Sequence, residues 1–324
     1  MARKNYRTCV RMGNWNEDIF LEEEMMKDFL EKRDKGQLLI QRNRILIANL
    51  LRKTTLSVIE DGLIHYGDKV LIMNPDYTDP SGGQVVFGRL ALAVTPEEMK
   101  AHMSNEIEVP CEVTAMPDVK PIGRNTFIIL SLDENALGKT VRYGQNFGLA
   151  TTAGFDHKMF YLGSSLKTPV NSTKKSALQE VHLTDEFSFF TCWQAAYFDP
   201  RLRIEYDDFP VPANAKIVIK HCHTNQALAA NRKYSLRTYF GKECEVACHT
   251  HIDCYKTEKP LNHWVLCTGD PNDHSSIVLD RGNPLEKKMV PEQPVVNTDA
   301  PIINITGQNP FPLPYASKEE NCNF

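Results

Sequence analysis

Side chains that could bind a metal or act as nucleophiles are concentrated late in the chain. Between residues 221 and 267 lie His221, Cys222, His223, Cys244, Cys248, His249, His251, Cys254, His263 and Cys267. Thiolate and imidazole are the groups that zinc prefers, so these residues suggest a zinc site. However, Cys244, Cys248 and Cys254 follow one another at intervals of four and six residues. A zinc knuckle has the spacing Cys-x-x-Cys, so the match to a metal site is weak.

The segment from Cys244 to Cys248 also has the alternation of a β-strand. Cys244, Val246 and Cys248 fall on one face of that strand, while Glu245 and Ala247 fall on the other. Free cysteine packs as a small apolar residue. We therefore predict structural cysteines, and we assign no metal-binding residue, no cofactor-binding residue and no cofactor.

The sequence lacks the common motifs of nucleophilic and nucleotide chemistry. It contains no Gly-x-Ser-x-Gly elbow, no Gly-x-x-x-x-Gly-Lys-Ser/Thr loop and no Gly-x-Gly-x-x-Gly after a strand. A nucleophile needs a positioned base, and nothing in the sequence selects one Cys–His pair. We predict no catalytic residue and a protein that is not an enzyme. A zinc or thiol enzyme using residues 244–267 remains an alternative.

The elements that would carry these residues repeat three times along the chain. In each copy an aromatic residue leads a strand, and an Asp follows it six positions later: Phe127 and Asp133, Trp193 and Asp199, Trp264 and Asp270. Recurrence in every copy favours a buried, space-filling role for the aromatic rings. The Asp residues are expected to fix turns through side-chain hydrogen bonds. The competing interpretation places Trp193 and Trp264 at the surface, as in a lectin.

Two further patterns support a repeated strand order. Runs rich in β-branched and aromatic residues end in Gly at 85–88, 160–163 and 238–241. Alternating runs precede them at 69–72, 139–143 and 216–219. We predict a mainly β, β-trefoil-like core of three pseudo-repeats at residues 62–282.

The segments outside this core have a different composition. Residues 1–15 form a basic arm with Arg3, Lys4, Arg7 and Arg11. Residues 16–61 are predicted to be helical, with Asn16 as a cap and Gly36 as a stop. A second helical pattern occupies 38–50. Residues 283–324 are rich in proline and predict an extended tail.

The composition is that of a water-soluble globular protein. The chain has 324 residues, of which 42% are hydrophobic and 24% charged, and a net charge of −4. This charge argues against a general nucleic-acid binder. No apolar run reaches the length of a membrane span, and the N-terminus does not resemble a secretory signal. We expect a reducing cytoplasmic environment with free thiols.

Residues 221–229, 240–246 and 262–266 resemble a MIR-type β-trefoil repeat. That family combines a turn before a leucine, a Gly-x-Glu-x-Glu-Val strand and a Trp-led closing strand. The third copy contains Gly241-Lys-Glu-Cys-Glu-Val246 and Trp264. The other two copies depart from this pattern, so no ligand site of that family is transferred.

Over its whole length the chain is similar to a family of cilia- and flagella-associated proteins. The resemblance implies a structural microtubule inner protein of the motile-cilium axoneme, bound in the lumen of doublet microtubules. The implied partners are tubulin and neighbouring inner proteins, with no nucleic acid and no membrane. A cytosolic lectin-like or peptide-binding β-trefoil module is the alternative function.

Overall fold

A computed structural model describes residues 15–75, 88–97, 104, 106–132, 136–152, 158–169, 171–271 and 276–280. The predicted Pro-rich tail at 283–324 and almost all of the predicted basic arm at 1–15 lie outside the described residues. Asp133 lies outside them as well.

The described residues are mainly β, as predicted, and two helices precede the strands. The helices are α1 (Trp15–Asp34) and α2 (Leu39–Leu50). The strands are β1 (Lys69–Asn74), β2 (Leu90–Thr95), β3 (Cys111–Met116), β4 (Thr126–Ser131), β5 (Asn146–Thr151), β6 (Tyr161–Gly163), β7 (Gln179–Glu180), β8 (His182–Thr184), β9 (Cys192–Tyr197), β10 (Lys216–His221), β11 (Leu228–Thr238), β12 (Gly241–Cys248) and β13 (His263–Cys267).

Six of these strands form a closed antiparallel ring. The neighbours around it are β1, β4, β5, β9, β10 and β13, and β13 pairs with β1 to close it. Between the ring strands, the chain makes the antiparallel pairs β2–β3, β6–β8 and β11–β12. These pairs also touch one another, through β3–β8 and β3–β12. The ring therefore encloses a core that three hairpins extend.

The strand register repeats around the ring. The strands fall into three consecutive units, β1 to β4, β5 to β9 and β10 to β13. In each unit the second residue of the first strand faces the second residue of the last strand: Val70 and Phe127, Phe147 and Trp193, Ile217 and Trp264. The next interface also repeats: Ile128 and Ala150, Gln194 and Lys220, Val265 and Met73. Phe127, Trp193 and Trp264 are each 0% exposed. The predicted equivalence of the three aromatic residues is confirmed.

A triangle of backbone hydrogen bonds lies where the three units enter the ring. Ile64 N–H donates to the Val211 oxygen (3.0 Å), Val211 N–H to the Val141 oxygen (2.8 Å), and Val141 N–H to the Ile64 oxygen (2.8 Å). All three side chains are buried. Each donor is thus satisfied by the next unit, which links the three units end to end.

A residue with a positive φ angle follows each corner of this triangle. Gly67, Gly144 and Asn214 have φ angles of 99°, 78° and 60°. Their N–H groups donate to the oxygens of the fourth residues of the closing strands: Ile129 (2.7 Å), Ala195 (3.0 Å) and Leu266 (3.1 Å). Glycine and asparagine occupy these positions because other side chains adopt positive φ at a cost. This third repeated pattern was not predicted from the sequence.

The first strand of the second unit was predicted wrongly. It is β5 at Asn146–Thr151, whereas residues 139–143 carry a corner of the triangle. Val141 and Tyr143 are buried there, which produced a strand-like alternation. The true strand contains Gly148, and a Cβ at this position would lie 2.5 Å from the Phe187 ring. Glycine therefore makes room for Phe187 and weakens the β pattern of the sequence.

The predicted equivalence of Gly88, Gly163 and Gly241 is also wrong. Gly88 precedes β2, Gly163 ends β6, and Gly241 begins β12. Gly241 has a φ of 121°, which the tight turn between β11 and β12 requires. Gly163 faces the backbone oxygen of Phe190, where a Cβ would approach to 3.1 Å. The three glycines serve different local needs, so their similar surroundings in sequence are a coincidence.

Helix α2 packs on the ring and belongs to its core. Leu46 and Leu50 are buried in the main apolar cluster. At the C-terminal end, the Leu50 oxygen accepts from Arg124 N–H (2.9 Å) and the Arg52 oxygen accepts from Gly123 N–H (2.8 Å). A Cβ on Gly123 would lie 2.7 Å from the Asn49 oxygen. The helix end and this loop therefore approach as closely as backbones allow.

A buried ion pair joins the loop before β4 to strand β12. Arg124 and Glu243 are separated by 2.7 Å, and both side chains are almost fully buried. The other oxygen of Glu243 accepts from Thr114 Oγ1 (2.6 Å), while Arg124 Nε donates to the Val94 oxygen (3.0 Å). The guanidinium also lies 3.9 Å from the centre of the Phe240 ring. These contacts satisfy both charges, as burial of an ion pair demands.

Candidate interaction surface

The cysteines of the 221–267 region serve mainly as core residues. Cys244 and Cys248 lie in the main apolar cluster, and Cys267 lies in a second cluster beneath β1 and β13. Cys222 is half-buried, and Cys254 is exposed. The prediction that cysteines on β12 pack as small apolar residues is confirmed. Among the described residues, no group of three or more His, Cys, Asp or Glu side chains is arranged to hold a metal ion.

Burial keeps these thiols protonated. It raises the pKa of Cys222, Cys248 and Cys267 to about 12 each, and that of Cys244 to about 11. The thiolate is the form that attacks substrates and binds metals. A reactive cysteine has a lowered pKa, so these four environments oppose thiol chemistry.

His221, which is buried, and His251, which is half-buried, are engaged in structural hydrogen bonds. His221 has Nε2 2.9 Å from the Phe190 oxygen and Nδ1 2.9 Å from Thr224 Oγ1. Burial is the main cause that lowers the pKa of His221. His251 Nε2 lies 2.9 Å from Asn231 Oδ1, and burial, aided by nearby cations, lowers its pKa to about 4. Both rings are therefore neutral at physiological pH.

The two tryptophans are anchored inside the core. Trp193 Nε1 donates to the Leu162 oxygen (2.8 Å), and Trp264 Nε1 donates to the Leu228 oxygen (2.9 Å). A sugar-binding tryptophan must present its ring to solvent, and both rings are fully buried. The lectin interpretation that used Trp193 or Trp264 at the surface is therefore wrong.

Of the three repeated Asp residues, Asp199 fixes a turn as predicted. Its Oδ1 accepts a hydrogen bond from the Arg201 N–H (3.0 Å). Asp270 is buried, and its own N–H donates to the Ser276 oxygen (3.2 Å). The Asp199 side chain thus stabilises a turn, and Asp270 makes a backbone contact across its loop.

A polar cleft lies beside the ends of β4 and β5. Its volume is about 790 Å³. It is lined by Lys139 and Arg142 together with the side-chain amides of Gln145, Asn146 and Gln194. Arg142 is already engaged, since Nη1 donates to the Asp208 oxygen (2.8 Å). The cleft can accept hydrogen bonds and anionic groups.

Helix α1 presents a large unburied apolar surface. Its large apolar side chains are 38–69% exposed: Ile19, Phe20, Leu21, Met25, Met26, Phe29 and Leu30. Soluble monomers rarely expose so many large apolar groups on one element. A second exposed apolar group surrounds β9, where Phe187, Phe189 and Phe190 are partly exposed and two of the rings contact His223. Exposed apolar surface of this kind is typical of protein–protein contact sites.

Membrane insertion of a helix is not indicated. None of the helices in the described part of the chain combines the length and apolar character that crossing a bilayer requires.

The part of the chain that forms the strands matches a known sequence family. A family model described as the cilia- and flagella-associated protein 161-like domain matches residues 42–269. That range contains all of the strands and most of α2. The chain belongs to the cilia- and flagella-associated protein 161 family. The predicted resemblance to a family of cilia- and flagella-associated proteins is confirmed.

Curated members of the family match most of the chain. The protein named cilia- and flagella-associated protein 161 from Bos taurus is 56% identical over 284 residues, covering 88% of each chain. The Mus musculus protein of the same name is 54% identical, covering 88% of this chain and 95% of its own. The Danio rerio protein of that name is 38% identical, covering 85% and 92%. The match therefore extends over nearly the full length of these relatives.

Two solved structures show a weaker likeness. The SDF2-like protein from Arabidopsis thaliana has a TM-score of 0.44 and 14% identity, covering 63% of this chain and 93% of its own. The Saccharomyces cerevisiae protein O-mannosyltransferase Pmt1–Pmt2 complex has a TM-score of 0.42 and 12% identity, covering 68% and 28%. These values are too low to assign a fold or a function.

Proposed function

We propose that the protein is a structural microtubule inner protein of the motile-cilium axoneme. It binds the luminal wall of doublet microtubules and ties tubulin to neighbouring inner proteins, which stabilises the doublet during ciliary beating. The observation that carries the proposal is membership of the cilia- and flagella-associated protein 161 family over residues 42–269. The names of the relatives place those proteins with cilia and flagella.

The distribution of reactive and apolar groups supports an architectural role. The buried thiols are held neutral, and His221 and His251 are engaged in structural hydrogen bonds. Apolar side chains are instead exposed along α1 and around β9. A surface of this type suits a protein that binds other proteins over a large area. We therefore propose that the protein is not an enzyme and works without a cofactor.

We also infer that the strand arrangement is a β-trefoil. Three features support it: the six-strand ring, the three hairpins and the repeated register at Phe127, Trp193 and Trp264. The hydrogen-bonded triangle of Ile64, Val141 and Val211 has the same three-way repetition. A closed β scaffold leaves no free sheet edge in the ring and resists deformation, which suits a protein that must withstand bending.

Fractionation of motile cilia tests the proposed location. Membrane and soluble matrix are removed first, and the axonemes are then washed in high salt before the doublets are disrupted. We expect the protein to remain with the salt-washed doublets and to be released only when they are disrupted, because a luminal protein is enclosed by the wall. Quantitative recovery in the soluble matrix or in the salt wash would contradict the proposal.

A further inference from the structure

A small groove lies on the outer face of the strand pair β9–β10. Its volume is about 310 Å³. Gln194 and Lys220 line it and lie opposite each other in the strand register, while their neighbours Trp193 and Ile219 belong to the core. Side chains alternate along a strand, so Gln194 and Lys220 point away from the core. The loop that joins β9 to β10 completes the groove with Arg203, Ile204 and Asp207.

Lys220 is a half-buried cation whose surroundings favour an added anion. Its ammonium group makes no hydrogen bond within the part of the chain that the structure describes. Burial is the main cause that lowers the pKa of Lys220, and Arg203 lowers it more than Glu258 raises it. Glu258 is itself bound to Arg203, with 2.8 Å between Oε1 and Nη1. An anion brought to Lys220 would therefore enter an electropositive site.

Unpaired polar atoms and a positive φ angle occur around the same loop. Among the described residues, Tyr143 Oη, Arg203 Nη2 and Glu258 Oε2 are buried without a hydrogen-bond partner. Tyr143 lines the groove and is only 3% exposed. Asp208 in the loop has a φ of 62°, which is costly for a residue with a side chain. Costs of this kind are tolerated at binding sites, where a ligand can offset them.

The acidic residues of the loop restrict what the groove can bind. Glu205, Asp207 and Asp208 are exposed on it. A membrane surface or a nucleic acid carries many negative charges, and these three carboxylates would repel it. A single carboxylate needs only the cation at Lys220. Ile204 is 91% exposed beside it, so an apolar group attached to the carboxylate would gain by covering Ile204.

We propose that this groove receives an aspartate or glutamate side chain of a neighbouring protein. Lys220 donates to the carboxylate, Arg203 and Tyr143 supply further donors, and an apolar residue beside the acid covers Ile204. The inference rests on the proposed function only in taking a protein as the partner. It adds the chemistry of the contact and the residues that make it.

Photo-cross-linking of the full chain in ciliated cells tests this inference. A photoreactive leucine analogue replaces Ile204, which lines the groove. The chain is isolated from whichever cell fraction holds it, and the cross-linked peptide is sequenced. We expect one segment of another protein, with an aspartate or glutamate close to the cross-linked residue.

Two substitutions remove the proposed contact from opposite sides. Lys220→Met in this chain, or exchange of the partner's acid for its amide, should each lower the cross-link yield by about tenfold or more, because a hydrogen bond to a charged group is lost. The matched control is Lys216→Met, which removes an exposed lysine of β10 that lies outside the groove and should keep the yield. The exchange in the partner leaves this chain unchanged, so it tests the inference even where Lys220→Met lowers the melting temperature.

Several outcomes would overturn the inference. These are the absence of a cross-link, a cross-link to lipid, to nucleic acid, to this chain itself or to a second copy, and a partner segment without an acidic residue. A yield that does not fall when the partner's acid is neutralised would overturn it as well. If the chain lies outside the axoneme and still gives the expected cross-link, the proposed function fails and this inference stands. If the chain is held in the doublets while the cross-link leads elsewhere, only this inference fails.

Discussion

Trp193 and Trp264 each carry one indole N–H into the core and donate it to a backbone oxygen of a hairpin strand. The equivalent position in the first unit is Phe127, which has no such donor. The units are therefore equivalent in shape and register, while their polar contacts differ. The Leu228 oxygen also accepts from Asn262 Nδ2 (3.1 Å). It keeps a donor when Trp264 is replaced.

This difference predicts unequal effects of two matched substitutions. Trp193→Phe should lower the free energy of unfolding by about 1 kcal/mol more than Trp264→Phe, because a buried acceptor that loses its donor is costly. Both changes remove a similar ring volume, so each variant serves as the control for the other. Urea denaturation measures the difference. Equal losses, or a larger loss for Trp264→Phe, would show that the indole bonds are not what separates the sites.

Glu243→Gln tests the buried ion pair. The change leaves the Arg124 charge buried without its anionic partner and should lower the free energy of unfolding by about 3–5 kcal/mol. Glu186→Gln on the exposed surface is the control and should change it by less than about 0.5 kcal/mol. Replacing Arg124 and Glu243 together by Met and Leu should be less damaging than Glu243→Gln alone. A double variant that is less stable than the single one would contradict this view of the pair.

Helix α2 and the loop around Gly123 illustrate packing between elements. The helix supplies Leu46 and Leu50 to the core, and the carbonyl oxygens of Leu50 and Arg52 at its C-terminal end accept hydrogen bonds from the loop. Helix α1 differs, since its apolar side chains are exposed. The two neighbouring helices thus differ: α2 completes the core, and the apolar side chains of α1 lie at the surface.

Gly123→Ala should weaken the contact between α2 and the ring. The added Cβ would lie 2.7 Å from the Asn49 oxygen and 3.3 Å from the Leu50 oxygen, so the backbones must move apart. We expect a loss of about 1–3 kcal/mol in the free energy of unfolding and faster amide hydrogen exchange at Arg124. Lys120→Ala, an exposed change in the same loop, is the control. Unchanged stability and exchange in Gly123→Ala would mean that this close approach does not hold the helix.

Elements with a strong local pattern could be predicted from the sequence, and others could not. The strands β1 and β10 contain several β-branched residues, and Phe127, Trp193 and Trp264 lead short apolar runs. Strand β5 was not predicted because Gly148 and Ala150 lack the β-branched or aromatic side chains that are typical of a strand. The triangle of Ile64, Val141 and Val211 joins residues far apart in sequence through single bridges, which leave no strand-length pattern. The exposure of α1 could not be predicted either, because the spacing of apolar residues does not show whether another element covers them.

At the scale of the whole molecule, a closed β scaffold presents apolar surface on its appended helix. The ring is stabilised from within by three equivalent aromatic residues and by backbone bonds that pass from unit to unit. The family links the protein to cilia and flagella, and the proposed role uses the scaffold as a rigid connector between tubulin and neighbouring inner proteins. In that role the chemistry of the molecule lies in its contacts, because the buried thiols and imidazoles are neutral.

The most direct measurement of this role is a density map of intact ciliary doublets from which the protein can be located. We predict periodic density on the luminal wall that accepts the six-strand ring, with Phe127, Trp193 and Trp264 at its three equivalent positions. Density for the protein on the outer surface of the doublet, or a lumen that is unchanged when the protein is removed from the cell, would contradict the proposed function.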